Sequence, residues 1–342
     1  LRVTVRGGSR AAGLLTRPLR GRCRMTRHAP RDKAHGGSGI DTVDRLGKLE
    51  EQIQALKAAL GQTREELEAL REEVNAHRHP VEQILLQRGL PFLAGGDFAQ
   101  VLIPADLPAP FKARFFALMQ RYSFRLFLRD LIQFPEGKHP RALSRYCSVR
   151  TVRSYLRVLR ELGIVELSEE DGYRLVPKGA QSFGPTLEWY VCEIFLREFM
   201  APALFNVRLR NTRHGGDYDV VALLSGYLVC VEVKSSPPRG VEIQSVAAFL
   251  NRLEDLNPHM AVFLVDTELR MKDKIVPLFA EALEQSGRAL CDRHVQRLVG
   301  EIFHIRHRIY LINSRKGIYS NLRTCFRDFL VWQKVAIGAS RS

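Results

Sequence analysis

The chain has 342 residues, 45% of them hydrophobic and 26% charged, a globular balance with enough length for two or three cores. Its formal net charge is +15, and no stretch approaches the ~18 uninterrupted apolar residues of a membrane-spanning helix. These values exclude collagen-like, disulfide-scaffold and integral-membrane classes.

More than half of the excess charge sits at the start. Residues 1–39 carry a net +9 in a Gly/Arg/Ser-rich stretch with no apolar period, which reads as an unfolded leader. Its Ala11-Ala12-Gly13-Leu14-Leu15 run is too brief for a signal-peptide core. Because the chain begins at Leu1 and Met25 is the first methionine, two readings stand: untranslated sequence ahead of Met25, or a nucleic-acid-binding arm. Residues 104–180 carry a net +6. The six cysteines (Cys23, Cys147, Cys192, Cys230, Cys291, Cys325) lie more than 30 residues apart without a C-x-x-C pair, as expected of reduced thiols in a cytoplasmic protein.

From Leu46 the apolar residues alternate three and four apart through Leu49, Ile53, Leu56, Leu60, Leu67, Leu70 and Val74, with Thr63 the one interruption. A 3.5-residue period predicts a left-handed coiled coil over 41–78, with Glu66 and Arg71 flanking the seam, and hence a homodimer. The alternative is one amphipathic helix packed on its own chain. His79-Pro80 ends this helix, and residues 79–109, with Gly95-Gly96 and Pro104, read as a linker.

Residues 110–180 change rhythm. A helix is expected over 111–133, a turn at Pro135-Glu136-Gly137, a short helix over 141–146, and a helix capped by Ser148 and ended by Gly163. On the last, Val149, Val152, Leu156 and Leu159 form one face, and Arg150, Arg153, Arg157 and Arg160 fall on one side. A hairpin over 164–176 follows. This segment resembles a winged helix-turn-helix, with 148–156 as its recognition helix and Leu162-Gly163-Ile164-Val165 leading into the wing. The resemblance implies contact with duplex DNA, the four arginines meeting phosphates or guanine edges. The rival is a solvated basic face on a protein-docking module.

Residues 183–342 hold the chemistry. A helix is expected over 185–200 with Glu188 near its start, then strands over 204–209, 219–223 and 228–234, the last two joined around Ser225-Gly226. The run Leu228-Val229-Cys230-Val231-Glu232-Val233-Lys234 is a strand apolar on both faces, interrupted on one face by Glu232 and Lys234. An unpaired buried charge costs several kcal/mol, so that face needs a partner or a metal. A turn at Ser225-Gly226 sets Asp219 opposite Glu232, with Cβ atoms roughly 5 Å apart. Carboxylates that close, with no His or Cys nearby, call for Mg²⁺ or Mn²⁺ between them.

Gly216-Asp217-Tyr218-Asp219-Val220-Val221, thirteen residues ahead of Val231-Glu232-Val233-Lys234-Ser235-Ser236, resembles the PD-(D/E)xK nuclease superfamily over about 183–283. The departure is Tyr218 where the motif has proline. Asp219 matches the strand aspartate, Glu232 the (D/E), Lys234 the lysine, Glu188 the first-helix acid and Gln244 the occasional downstream glutamine; Asp217 is a rival on the Asp219 face. The resemblance implies an α/β fold, a mixed-sheet restriction-endonuclease-like core with helices on both faces, preceded by the α+β winged helix and the long coiled-coil helix. It further implies a Mg²⁺- or Mn²⁺-dependent phosphodiesterase, a DNA endonuclease, with Asp219, Glu232, Glu188 and the Val233 carbonyl as metal ligands. Two rivals stand: an inactive nucleic-acid-binding regulator or scaffold, and an RNA-processing nuclease.

Beyond this, a helix is expected over 241–257, a strand over 259–266, a helix over 272–285, a strand over 308–313 and a closing helix over 317–334. Cys291, His294, His304 and His307 have zinc-like spacings, but Val295, Leu298, Val299, Ile302 and Phe303 between them read as a helical stripe. Satisfied or solvent-facing histidines are expected there, not zinc.

Overall fold

The computed structural model describes residues 38–76, 78–169, 172–286 and 294–339. Residues 1–37 of the basic leader, Cys23 and Cys291 therefore lie outside the described residues. The chain divides into two compact units, Leu1–Arg71 and Glu72–Ser342. Among the described residues no helix is long and apolar enough to cross a membrane.

The described part of the first unit is helix α1 (Ser38–Ala76), which runs on into the start of the second. Leu46, Leu49, Ile53, Leu56, Leu60, Leu67 and Leu70 are all exposed along it. Thr63, the break in this seam, turns its hydroxyl onto the Ala59 carbonyl one turn back.

In the second unit, residues 79–109 are more ordered than a linker. Helix α2 (Pro80–Gln87) starts at His79, whose ring nitrogen accepts the Val81 N–H. Val81 and Leu85 are fully buried, and β1 (Phe92–Ala94) pairs antiparallel with β5 (Ala203–Leu209). The apolar residues at helical spacing had a sheet face to cover.

The expected 111–133 helix is two helices, α3 (Ala109–Met119) and α4 (Tyr122–Gln133). Arg121 is extended between them, and the Arg125 guanidinium donates to the Met119 and Gln120 carbonyls, satisfying the end of α3 from the side. Strand β2 (Glu136–Gly137) follows. Helix α5 (Val149–Glu161) starts at Ser148, whose hydroxyl accepts the Thr151 N–H, and stops before Gly163 at φ +70°. It buries Val152, Tyr155, Leu156 and Leu159 and leaves all four arginines exposed. Strands β3 (Val165–Leu167) and β4 (Tyr173–Leu175) complete a three-stranded antiparallel sheet, β2-β4-β3.

Helix α6 (Gly184–Glu198) leads to a mixed α/β layer: β5, β6 (Asp217–Leu224), β7 (Tyr227–Lys234), α7 (Ile243–Leu256), β8 (Met260–Val265), α8 (Ile275–Gln285), β9 (Gln296–Val299), β10 (Ile302–Ile305), β11 (Ile309–Ile312) and α9 (Ile318–Ala339). The eight strands run β1-β5-β6-β7-β8-β11-β10-β9, parallel at β7-β8 and β8-β11 and antiparallel elsewhere. Strand alternation divides the core. In β8, Met260, Val262 and Leu264 join α6 and α9 on one face, whereas Ala261, Phe263 and Val265 join α7 and α8 on the other. The first of these cores continues into 110–180, where Phe115 meets Trp189 and Phe116 meets Tyr190. The stripe over 295–303, expected as helix, is the β9–β10 hairpin: Gly300 takes φ +57° at the turn, and the buried Ile302–Ile305 run needs both sheet faces.

Candidate active site

The site grows from one hairpin. Ser225 and Gly226 both have positive φ, 50° and 81°, the signature of a two-residue turn that matches strand twist. That turn fixes the pairs Leu224↔Tyr227, Leu223↔Leu228, Ala222↔Val229, Val221↔Cys230 and Val220↔Val231, the register expected from the sequence. Gly216 makes the entry to β6 possible: a Cβ there would lie 2.2 Å from the Leu209 carbonyl oxygen. Past Val220↔Val231, Asp219 Oδ2 accepts the Val233 N–H at 2.6 Å.

On β7, Val229, Val231 and Val233 face the α6 core, and Leu228 and Cys230 the opposite one. Glu232 and Lys234 continue the second set. Glu232 is 3% exposed, and its charge is met twice: Lys234 Nζ reaches Oε1 at 2.8 Å and Arg252 Nη2, from α7, reaches Oε2 at 2.6 Å. Glu188, in the second turn of α6, closes the cluster. Burial pushes its pKa up to about 7, the Glu232 charge adds to this, and Lys234 opposes it. Asp219 keeps some exposure as a residue, but its carboxyl is withdrawn from water and raised well above the ordinary range. The Glu232 and Glu188 charges push the same way, against the Val233 N–H and Lys234.

The structure thus brings together Glu188, Asp219, Glu232 and Lys234, with Val233 fixing Asp219. It does not bring in Gln244. Helix α7 begins at Ile243, so Gln244 sits exposed in the first turn, and among the described residues it makes no hydrogen bond to the cluster. The Arg252 guanidinium, two turns on, holds Glu232 instead. Asp217, the rival aspartate, faces solvent beside Arg208.

Among the described residues no His, Cys, Asp and Glu side chains form a ready three-ligand cage. The donors nevertheless suit a hard divalent ion. They are all oxygen, and Asp219 and Glu188 are held toward their neutral forms partly by mutual repulsion with Glu232, which a cation would relieve. Glu232 would have to exchange one of its two basic partners to bind.

A second polar cluster escaped the sequence reading. Asp266, fully buried just after β8, accepts from Arg125 Nε and Nη2 at 3.0 and 2.9 Å and from Arg129 Nη2 at 2.6 Å, and also holds the Ser314 hydroxyl. Its N–H bonds the Lys234 carbonyl at 2.8 Å. The signal was available: Asp266 ends an apolar strand much as Glu232 interrupts one. Among the histidines, His307 Nδ1 lies 2.7 Å from Asp328 Oδ2, and the buried His304 stacks on His307 at 3.9 Å and accepts its N–H. These contacts engage Nδ1 of both rings within the protein.

No protein-family model matches the chain, and no curated protein matches it. Among solved structures, protein VC1899 from Vibrio cholerae is similar with a TM-score of 0.42 and 15% identity, over 73% of this chain and 62% of that one. Can2 from Sulfobacillus thermosulfidooxidans, solved with cyclic tetra-adenylate, gives 0.37 and 14%, over 71% and 59%. The chain spans about three fifths of either length. Likeness at this level leaves the chemistry to the residues described above.

Proposed function

We propose that the protein is a divalent-metal-dependent phosphodiesterase acting on nucleic acid, a DNA endonuclease of the PD-(D/E)xK type. The observation that carries this reading is the hairpin site on β6 and β7, where Asp219 Oδ2 accepts the Val233 N–H and Lys234 Nζ pairs with the buried Glu232, with Glu188 of α6 within reach of the Glu232 and Lys234 charges. Asp219 and Glu232 would hold Mg²⁺ or Mn²⁺, with Glu188 and the Val233 carbonyl as further donors. When bound, the ion supplies Lewis acidity toward a phosphate oxygen and a more acidic water. Lys234 orients the attacking water or stabilises charge gathering on the phosphate. The Val233 N–H aims Asp219, and Arg252 keeps Glu232 in place while Lys234 turns to substrate. Residues 110–180 serve as a winged helix whose Arg150, Arg153, Arg157 and Arg160 meet duplex phosphates or base edges, and α1 pairs with its copy in a homodimer, so that two sites address two strands.

The test incubates the protein with supercoiled plasmid, linear duplex, single-stranded DNA and RNA, each with Mg²⁺, Mn²⁺ or EDTA. Metal-dependent cleavage that Asp219→Asn and Lys234→Ala each abolish, with binding retained, is the expected result. Cleavage of RNA alone would move the assignment to RNA processing. One observation favours a second reading, an inactive nucleic-acid-binding scaffold: both Glu232 oxygens already hold a cation. Wild type and variants equally inert on every substrate, with nucleic acid still bound, would favour that reading.

A further inference from the structure

Beside the carboxylate cluster lies a cleft of about 810 Å³. Its walls come from α4, the turn before α6 and the loop after β7, and it begins where the site stops. Ser235 and Ser236, in its lining, directly follow Lys234. Ser182, also in its lining, and Glu188 of the site both adjoin Gly184, within 3.9 Å of where a Cβ would stand. The walls are fixed by the buried Asp266 joint, which ties Arg125 and Arg129 of α4 to the strand end next to Lys234.

The lining suits an extended nucleotide strand. Arg145 and Arg239 are exposed within it, and among the described residues neither side chain has a hydrogen-bond or ion-pair partner. Arg145 lies over one face of Tyr146, 5.1 Å from the ring centre, and Tyr146 is 42% exposed. Cations at phosphate positions beside an aromatic platform are what single-strand binders use. The volume lies in the range of small-ligand clefts, about 300–1,000 Å³, enough for a few nucleotides of one strand and too little for a duplex.

We infer that this cleft is a single-strand subsite, in which Arg145 and Arg239 meet phosphates and Tyr146 stacks on a base, drawing one strand past the Asp219/Glu232/Lys234 site. This rests on the nuclease reading for its purpose but not for its test, which needs no cleavage. Binding of fluorescent single-stranded DNA and RNA 12-mers, and of a duplex, is measured with the full-length chain in EDTA across a salt series. Replacing both arginines (Arg145→Gln with Arg239→Gln) should weaken single-strand affinity at least tenfold. It should also flatten the log–log salt slope by about 1.4, the loss of two phosphate contacts at roughly 0.7 each. Tyr146→Ala should weaken affinity at least fivefold with the slope unchanged. Comparison of the DNA and RNA arms assigns the sugar. Wild-type affinity and slope in the double variant would overturn the inference, as would equal losses for duplex and single strand. If affinity falls as stated while wild type cleaves nothing with any metal, the subsite stands and the nuclease reading falls; the reverse pair of results removes the subsite alone. Both arginines are exposed, so an unchanged melting temperature guards against misfolding.

Discussion

Glu188 carries a titration that reports on the site directly. Its folded pKa of about 7 lies above the ordinary 4.5, so folding takes up a proton between those values. The sign follows: the protein binds more protons folded than unfolded there, and stability falls as pH rises from about 4.5 through 7. In EDTA, Glu188→Gln should flatten this decline in melting temperature, and an unaltered profile would show that Glu188 is not under the strain described. If a divalent ion binds as proposed, it should reverse the trend, because it favours the charged carboxylates. At a concentration 100 times its Kd it should add about 2.7 kcal/mol to the wild type and nothing to Asp219→Asn. Glu232 and Lys234 stood out in the sequence because two charges interrupting an apolar strand cannot be hidden, and the turn at Ser225-Gly226 gave the hairpin register, whereas Glu188 came only from the resemblance. Gln244 lies on the helix after the strand, as expected, without a hydrogen bond to the cluster among the described residues, and Arg252 was missed because its pairing with Glu232 spans 20 residues and two elements.

At the scale of elements, the joint between α4 and the sheet makes the sharpest prediction. Burial alone would raise the Asp266 pKa, but the Arg125 and Arg129 guanidiniums hold it below the ordinary range. Its contribution to stability is therefore full above the ordinary aspartate range and is lost as pH falls through the depressed value. Asp266→Ala leaves Arg125, 1% exposed, without its counter-charge and should cost about 3–5 kcal/mol in denaturant unfolding; a loss below 1 kcal/mol would deny the joint its role. The helix Arg150–Arg160 set is tested separately. Arg150→Ala with Arg157→Ala should weaken duplex affinity and reduce its salt slope by about 1.8, and unchanged binding would assign α5 to protein docking. Elements with one clean period were read well: the β6–β7 register, the Ser148 cap and the Gly163 stop. The errors came where the period was ambiguous. The apolar run over 295–303 fits a helix as well as a strand, and only the turn at Gly300 decides. The break between α3 and α4 depends on Arg125 reaching back to the Met119 carbonyl, a contact invisible to local pattern.

At the scale of the whole molecule, α1 leaves seven leucine and isoleucine side chains facing solvent, the residues whose spacing predicts a coiled-coil seam. Deletion of 41–77 should convert a dimer to a monomer in sedimentation velocity, and an unaltered mass would refute pairing through α1. What the sequence concealed was the continuity of the second unit, since residues on either side of 181 contribute to one core through Phe115, Trp189, Phe116 and Tyr190. If a second copy covers the aliphatic stripe of α1, as proposed, the working state depends on abundance. Cutting of both strands in one encounter should then be second order in protein when the sample is dilute, whereas nicking of a single strand stays first order. Scarcity alone would turn a cutter into a nicker.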